Sequence, residues 1–328
     1  MANSKTYQLA TTEMEKEEKL EEGYEKTNKM FDEILPTLAK GDGWLDDQYF
    51  QYQGFWQPSI FVKGSMLIHQ HFKPRPTDII LSTSPKCGTT WLRALIFAII
   101  NRNSYDFGEN HPLLKSNPRD LVPLLERLIH EGGSASFLES LPSPRFLSSH
   151  LPFSLFPNSL TSSSASACRF VYIFRDPKDA FVSMWHFMNK LGAREGLPQL
   201  SLDDAFDLFR NGVSFYGPFW DHVLGFWKAS LESPNKVLFL KYEDVKREPS
   251  VHVRKIAEFL DLPFSADEEN EGIVEKIVNL CSFENLSNLD VNKIVREEKT
   301  RRYFASNSDF FRKGQVGDWI NHLDTRNG

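Results

Sequence analysis

Residues 78–95 read DIILSTSPKCGTTWLRAL, an apolar run, a tight polar segment and a second apolar run. The first run has the aliphatic composition of a buried strand, and the second repeats its apolar residues at helical spacing. The segment 84–90 between them contains Lys86, Gly88 and two threonines. A strand–loop–helix of this kind aims backbone N–H groups and the positive end of the helix dipole at one point. The sequence therefore predicts a P-loop-like phosphate-binding loop.

The spacing of this loop differs from that of a P-loop NTPase. The NTPase pattern GxxxxGK[ST] places Lys directly after its second Gly, whereas Lys86 stands two residues before Gly88. From the residues alone, a phosphate cradle and an ordinary strand–helix turn both remain open.

Apolar runs alternate with amphipathic segments along the rest of the chain. Strands are expected in 145–153, 169–174 and 236–244, and helices in 176–191, 251–262 and 271–283. This alternation predicts an α/β fold, a single domain with a mainly parallel central sheet flanked by helices. Ligands in such folds bind at the carboxyl ends of the strands.

The composition limits the possible functions. The chain has 328 residues, with 38 Lys and Arg against 44 Asp and Glu and a net charge of −6. An acidic chain is a poor general binder of nucleic acid, which needs a basic face. The 3 cysteines are far apart and form no CxxC, so neither a disulfide framework nor a metal site is expected.

No segment has the length or composition of a membrane span or a signal peptide. The longest apolar run, 94–100, is far shorter than the roughly 18 residues of a spanning helix. The sequence thus predicts a cytoplasmic protein with no membrane partner. Residues 1–41 are polar and charged, which favours a flexible N-terminal tail before a domain at 42–328.

Three ordered motifs resemble the soluble, cytosolic-type sulfotransferases. They are PKCGTTW (85–91), FVYIFRDPKDAFVSMWHF (170–187) and FFRKGQVGDW (310–319). The resemblance covers about residues 42–320, and the segments at 50–56 and 280–293 look most like plant members, which include flavonoid, steroid and hydroxyjasmonate sulfotransferases. It implies transfer of a sulfuryl group from 3′-phosphoadenosine 5′-phosphosulfate (PAPS) to a hydroxyl of a small, largely apolar acceptor, without a metal.

The resemblance also implies roles for individual residues. His150 would be the general base, and Lys86 would both hold the donor and stabilise the leaving phosphate. The donor-binding positions that match the family are Lys86, Cys87, Gly88, Thr89, Thr90, Trp91, Arg175, Ser183, Tyr242, Phe283, Arg312, Lys313 and Gly314. Among these, Arg175, Ser183 and residues 312–314 would hold the 3′-phosphate, and the aromatic side chains would frame the adenine.

The chemistry is consistent with these residue types. The acceptor hydroxyl must lose a proton, and a histidine base contributes about 10²–10⁴-fold in rate. Arg binds phosphate through two parallel hydrogen bonds. An aromatic run at 49–56, together with Phe153 and residues 185–187, is expected to line the acceptor pocket.

Alternatives remain open at this point. Cys87 stands where the family usually has Ser, Ser148 replaces a Lys of many animal members, and the chain ends soon after Trp319, where the family usually continues with a helical segment. A catalytically impaired nucleotide- or hormone-binding homologue is therefore one alternative. A P-loop kinase is another, less favoured because of the loop spacing. The expected oligomeric state is a monomer or a weak homodimer.

Overall fold

The computed structural model describes residues 21–45, 47–130, 140–162, 168–295 and 305–323. Two sheets form within these residues. The first is antiparallel, in the order β1–β2–β3, and the second is parallel throughout, in the order β5–β4–β6–β7. The strands are β1 (Ala39–Asp42), β2 (Gln48–Tyr52), β3 (Phe55–Pro58), β4 (Ile79–Ser82), β5 (Phe146–Ser149), β6 (Arg169–Phe174) and β7 (Val237–Lys241).

Helices account for much of the remaining structure, and short 3₁₀ helices occur at Leu35–Thr37, Phe153–Leu155, Asn307–Phe310 and Asp318–Asn321. The α-helices are α1 (residues 21–34), α2 (Ser59–His71), α3 (Thr89–Asn101), α4 (Pro112–Lys115), α5 (Pro118–Leu121), α6 (Leu125–His130), α7 (Asn158–Thr161), α8 (Pro177–Arg194), α9 (Leu202–Arg210), α10 (Phe219–Glu232), α11 (Tyr242–Arg247), α12 (Pro249–Phe259), α13 (Ala266–Asn270), α14 (Ile273–Leu280), α15 (Phe283–Asn288) and α16 (Asp290–Lys293).

The alternation of side chains along β4 explains why helices cover both faces of the parallel sheet. Ile79 and Leu81 pack with α3, α12 and α14 on one face. Ile80 packs with residues of α2, α6 and α10 on the other. Because every residue of this strand is buried, a near-continuous apolar run is required. The predicted α/β fold with its parallel sheet is confirmed.

The start of the described chain differs from the expected flexible tail. Helix α1 places Met30, Phe31 and Ile34 against a cluster formed by Phe50, Val62 and Met66. Strand β1 then pairs with β2. The apolar residues of this charged segment recur at helical spacing, so one face of α1 is packed on the domain. Residues 1–20 lie outside the described chain.

Among the helices of the described chain, none has both the length and the apolar character needed to cross a membrane. No disulfide joins the three cysteines, all of which lie in the described chain and are buried. Of the polar stretch 292–309, the structure describes only the two ends, 292–295 and 305–309.

Candidate functional site

A cavity of about 1210 Å³ opens at the carboxyl ends of the parallel strands. The loop between β4 and α3, residues of α8 and the segment 310–314 all contribute to its walls. The predicted site residues that line this one cavity are Lys86, Gly88, Thr89, Thr90, Trp91, His150, Arg175, Ser183, Tyr242, Phe283, Arg312, Lys313 and Gly314. Segments far apart in the sequence therefore meet at one place.

The geometry of the loop requires glycine at position 88. Gly88 is the N-cap of α3 and has φ +109°. A Cβ atom there would lie 2.9 Å from Cδ2 of the Tyr242 ring, closer than a real side chain allows. The first N–H groups of α3 lack helical partners, so a helix that starts in this way offers them to an anion.

Cys87 is the one predicted site residue that does not line the cavity. Its side chain is fully buried and packs with Ala180 and Phe219. Burial raises the pKa of this thiol to about 12. The residue can therefore contribute only its backbone to the loop, which explains in physical terms how Cys can replace the family's Ser.

Lys86 reaches the cavity between aromatic rings. Its Nζ lies 3.9 Å from the ring centroid of Phe187 and 5.4 Å from that of Phe310. Desolvation lowers the pKa of this amine to about 7, and nearby guanidinium groups add to the shift, although Asp309 opposes it. An anion placed beside this amine would stabilise its protonated form.

His150 follows β5 directly and is held at three atoms. Its backbone N–H donates to Oε1 of Glu126 at 2.5 Å, and its carbonyl accepts from Nε2 of His222 at 2.9 Å. Its Nδ1 lies 2.9 Å from the carbonyl oxygen of Thr83. Because a carbonyl only accepts, Nδ1 must carry the proton, and Nε2 keeps its lone pair.

The electrostatic surroundings also favour neutral His150. Desolvation lowers the pKa of this imidazole to about 3, the charges of Arg93 and Lys86 act in the same direction, and the hydrogen bond to Thr83 opposes the shift. His222 is fixed in turn by Tyr172, whose hydroxyl donates to Nδ1 of His222 at 2.9 Å. The backbone of His150 is thus held by buried side chains from two helices, and its ring is held by the residue that follows β4.

Arg175 joins the loop to the C-terminal segment. Its Nη1 donates to the carbonyl of Lys86 at 3.4 Å, and its Nη2 donates to the carbonyl of Gln315 at 2.7 Å. Asp179, one helical turn further on, accepts from the backbone N–H groups of Gly317 and Trp319 at 2.8 and 3.0 Å. Strand β6 and helix α8 therefore fix the position of the segment that follows residue 310.

Two cations of that segment share one carboxylate. Arg312 Nη1 and Lys313 Nζ lie 2.6 and 2.7 Å from the two oxygens of Asp318. Desolvation acts to raise the pKa of Asp318, but hydrogen bonds from Lys313, Asn321 and Arg312 hold that pKa well below its usual range. The Nε atoms of Arg175 and Arg312 are buried and have no hydrogen-bond partner among the described residues.

Aromatic side chains surround the rest of the predicted donor region. Trp91 meets Tyr242 edge to face, with ring centroids 5.6 Å apart, and Phe283 lies 6.2 Å from Phe311. Gly314 has φ +61°, and a Cβ atom there would lie 2.5 Å from the Phe283 ring. Close approach of the segment to this ring is therefore possible only with glycine.

The acceptor wall differs in part from the prediction. Phe50 and Phe187 line the cavity as expected. Phe153 instead packs in the core against Phe170 and Phe226, and Trp185 donates Nε1 to the carbonyl of Leu200. The apolar lining that the sequence analysis missed consists of Pro58, Ile60, Phe61, Leu124, Met184, Met188, Leu191, Phe215, Leu286, Ala305, Phe310 and Phe311.

Several charged residues of the cavity wall were also missed, and two of them, Arg93 and Glu126, lie in the protein interior. Both are nearly fully buried. Each interrupts an apolar run, in WLRALIF (91–97) and PLLERLI (123–129). A charged residue within a run that must be buried is the signal that could have identified them, because such residues are rarely buried without a partner. Within the described residues, no group of three or more His, Cys, Asp or Glu could hold a metal ion.

Comparison with known proteins agrees with this geometry. Residues 76–327 match the family model described as the sulfotransferase domain. Cytosolic sulfotransferase 16 of Arabidopsis thaliana is 45% identical over 302 residues, which cover 92% of this chain and 87% of the relative. A flavonol sulfotransferase-like protein of Flaveria bidentis is 45% identical over 300 residues, which cover 89% of this chain and 92% of the relative.

Solved structures show the same likeness. The crystal structure of an Arabidopsis thaliana protein described as a candidate steroid sulphotransferase has a TM-score of 0.66 and 42% identity, covering 78% of this chain and 85% of that one. A mouse sulfotransferase complexed with PAP has a TM-score of 0.63 and 25% identity, covering 85% of this chain and 90% of that one.

Proposed function

This chain belongs to the sulfotransferase family, and we propose that it transfers a sulfuryl group from PAPS to a hydroxyl of a small, largely apolar acceptor, with His150 as general base. The observation that carries the proposal is the meeting of His150, Lys86 and an anion-binding loop on the walls of one cavity. Its relatives are named cytosolic sulfotransferases, and we extend that location to this chain.

The residues of the cavity fit PAPS. The loop before α3 offers backbone N–H groups and Lys86 to the 5′-phosphosulfate, and the guanidinium groups of Arg175 and Arg312 on the cavity wall suit the 3′-phosphate. Trp91, Tyr242 and Phe283 provide flat apolar surfaces for the adenine. When bound, PAPS supplies the sulfuryl group and a phosphate leaving group.

His150 can take the proton of the acceptor hydroxyl at Nε2, because Nδ1 already donates to Thr83. An anion beside Lys86 offsets some of the positive field on His150, and this raises the pKa of the imidazole from its low value in the free protein. Lys86 would stabilise the negative charge that develops on the leaving phosphate oxygen. Both residues therefore interact with groups whose charge changes during transfer, His150 with the acceptor hydroxyl and Lys86 with the leaving phosphate oxygen.

A small, largely apolar acceptor suits the cavity because many of its lining residues are apolar. Phe50, Phe61, Met184 and Phe215 all line this cavity. A pocket with apolar walls and a few placed polar groups is typical of small-molecule sites. The name of the Flaveria relative favours a phenolic acceptor.

Two measurements test the proposal together. The first is thermal unfolding with 3′,5′-bisphosphoadenosine or with ATP and magnesium; ligand at about 100 times its dissociation constant adds about 2.7 kcal/mol. We expect a selective shift with the bisphosphate. The second is turnover with PAPS, which His150→Ala should reduce by about 10²–10⁴-fold while the shift with bisphosphate persists.

The outcomes separate the alternatives. A shift only with ATP and magnesium would favour a kinase. A bisphosphate shift without turnover on any acceptor would favour a nucleotide-binding homologue that lacks activity. Retained turnover in His150→Ala would exclude His150 as the base.

A further inference from the structure

Helix α10 carries a row of apolar side chains on the side that faces away from the core. Its inner side packs on the parallel sheet through buried residues such as Phe226 and Ala229. The large apolar side chains on its outer side are exposed to solvent; they are Trp220 at 42%, Leu224 at 46%, Trp227 at 43% and Leu231 at 65%. These four residues are named the α10 stripe below. A contiguous exposed apolar patch of this kind is typical of an interaction surface.

The spacing of the α10 stripe is that of a helix which packs against another helix. Its members are separated by 4, 3 and 4 residues, the spacing of the a and d positions in a two-stranded coiled coil. A helix with 3.6 residues per turn places all four within about 60° of one another. Single exposed apolar residues are common on protein surfaces, but a row of four at this spacing matches the seam of a helix pair.

Charged side chains beside the α10 stripe indicate what the second helix is. Asp221 and Lys228 are exposed and lie seven residues apart, so they occupy the same flank of the stripe. In an antiparallel pair of α10 helices about a two-fold axis, this flank of one helix faces the same flank of the other. With the stripe centred on the axis, Asp221 of one copy lies within about 3 Å, measured along the helix, of Lys228 of the other.

A parallel pair of the same helices lacks this charge match. The flank with Asp221 and Lys228 would then face the opposite flank of the second copy, where Val223 and Ser230 stand. Only the antiparallel arrangement sets opposite charges against each other, and the two-fold axis repeats the pair. The α10 stripe and its flanks are therefore self-complementary.

We propose that the α10 stripe is the contact surface between two copies of this chain, packed antiparallel about a two-fold axis. Leu224 of each copy then lies against Trp227 of the other, and Trp220 lies against Leu231 in the same way. The inference concerns assembly and does not depend on the proposed transfer reaction, because no residue of the stripe lines the cavity.

The length of the helix sets the expected strength of the dimer. A helix of 14 residues is about 21 Å long, so a contact through one helix pair is smaller than the roughly 1,200–2,000 Å² of a stable complex. We therefore expect a reversible dimer with a dissociation constant of about 10–100 µM. Sedimentation velocity of the full chain from about 2 to about 300 µM covers this range. A chain that stays monomeric throughout would overturn the proposal.

Leu231→Glu tests whether the α10 stripe is the contact surface. The change puts a carboxylate into an apolar contact, so the dissociation constant should rise at least about tenfold. Val251→Glu is the matched control, because Val251 is 54% exposed on α12, which packs on the other face of the sheet. It should leave the dissociation constant unchanged. Equal constants for the two variants would overturn the proposal. Both residues are exposed, and the unfolding temperature of each variant checks that it is folded.

Exchange of the flanking charges tests the orientation. Asp221→Lys alone sets lysines against each other across the axis, and Lys228→Asp alone sets aspartates against each other, so each should weaken the dimer about 3–10-fold. The double variant restores opposite charges and should return the dissociation constant to within about twofold of the original. Weakening in the double variant that is the sum of the two single effects would overturn the antiparallel arrangement.

Cysteine cross-linking gives a second measure of the orientation. In the antiparallel pair, position 220 lies beside position 231 of the other copy, whereas the two copies of position 220 are about 16 Å apart along the helix, too far for a disulfide. A mixture of the Trp220→Cys and Leu231→Cys proteins should therefore cross-link far more than either protein alone. The native cysteines are buried and should not interfere. Equal yields for the mixture and for either single protein would overturn the arrangement.

Discussion

Binding of 3′,5′-bisphosphoadenosine should consume a proton above neutral pH, because of Lys86. Desolvation lowers the pKa of this side chain to about 7 in the free protein, with Arg312, Arg175 and Arg119 adding to the shift and Asp309 opposing it. The free protein therefore loses the Lys86 proton as the pH rises through about 7. A phosphate beside the amine favours the charged form, so the complex regains that proton.

The size of the effect follows from the titration. With a pKa of about 7, about half of the free molecules carry the proton at pH 7 and about one tenth at pH 8. If the complex is fully protonated, binding takes up about 0.5 proton at pH 7 and about 0.9 at pH 8. The dissociation constant then rises by about tenfold for each pH unit above 7.

Isothermal titration calorimetry in buffers of different ionisation enthalpy measures this uptake directly. Measurements at pH 8 and above lie well beyond the second phosphate pKa of about 6, so the ligand's own phosphates contribute little. Lys86→Arg keeps the charge but does not titrate in this range. Lys246→Arg is the matched control, because Lys246 also lines the cavity and desolvation lowers its pKa. Zero uptake at pH 8, or equal uptake in Lys86→Arg, would refute the reasoning.

Three other substitutions test the donor site. Arg175→Ala should weaken binding of the bisphosphate by about 10–100-fold and that of 5′-AMP far less, as measured by titration; equal weakening would exclude contact with the 3′-phosphate. Gly314→Ala forces a Cβ to 2.5 Å from Phe283 at φ +61°, which costs at least about 1–2 kcal/mol, and should weaken the bisphosphate about tenfold; unchanged affinity would contradict the close approach. Asp179→Asn turns an amide NH₂ toward the N–H groups of Gly317 or Trp319 and should lower the free energy of unfolding in urea by about 1–3 kcal/mol; an unchanged midpoint would contradict this.

The elements that position the site could be predicted because their signals are local. The apolar run within 78–84 forms β4. The helix expected in 176–191 is α8, and Asp176 caps it by accepting the N–H of Lys178. Strands buried on both faces need continuous apolar runs, and helix starts need a capping side chain. Both requirements are visible within a few residues of sequence.

The direction of individual side chains could not be predicted in the same way. Cys87 points away from the cavity because Ala180 and Phe219 cover it, and both belong to other elements. Phe153 joined the core rather than the acceptor wall for the same reason. Local sequence sets which residues form an element, but the packing of distant elements sets which face each side chain meets.

The grouping of cations around the cavity raises the question of how they are held together without their ligand. Buried carboxylates that contact the guanidinium groups offset the repulsion between the cations. Asp318 binds one end of Arg312, and Asp179 lies 3.4 Å from Nη2 of Arg175. Each carboxylate contacts Nη atoms and leaves Nε without a partner. The carboxylates therefore fix the guanidinium groups in place and offset their repulsion, while other N–H donors of each guanidinium remain for an incoming anion. Such pre-organisation lowers the entropic cost of binding. It requires the segment 312–319 to be docked on α8 before the donor binds.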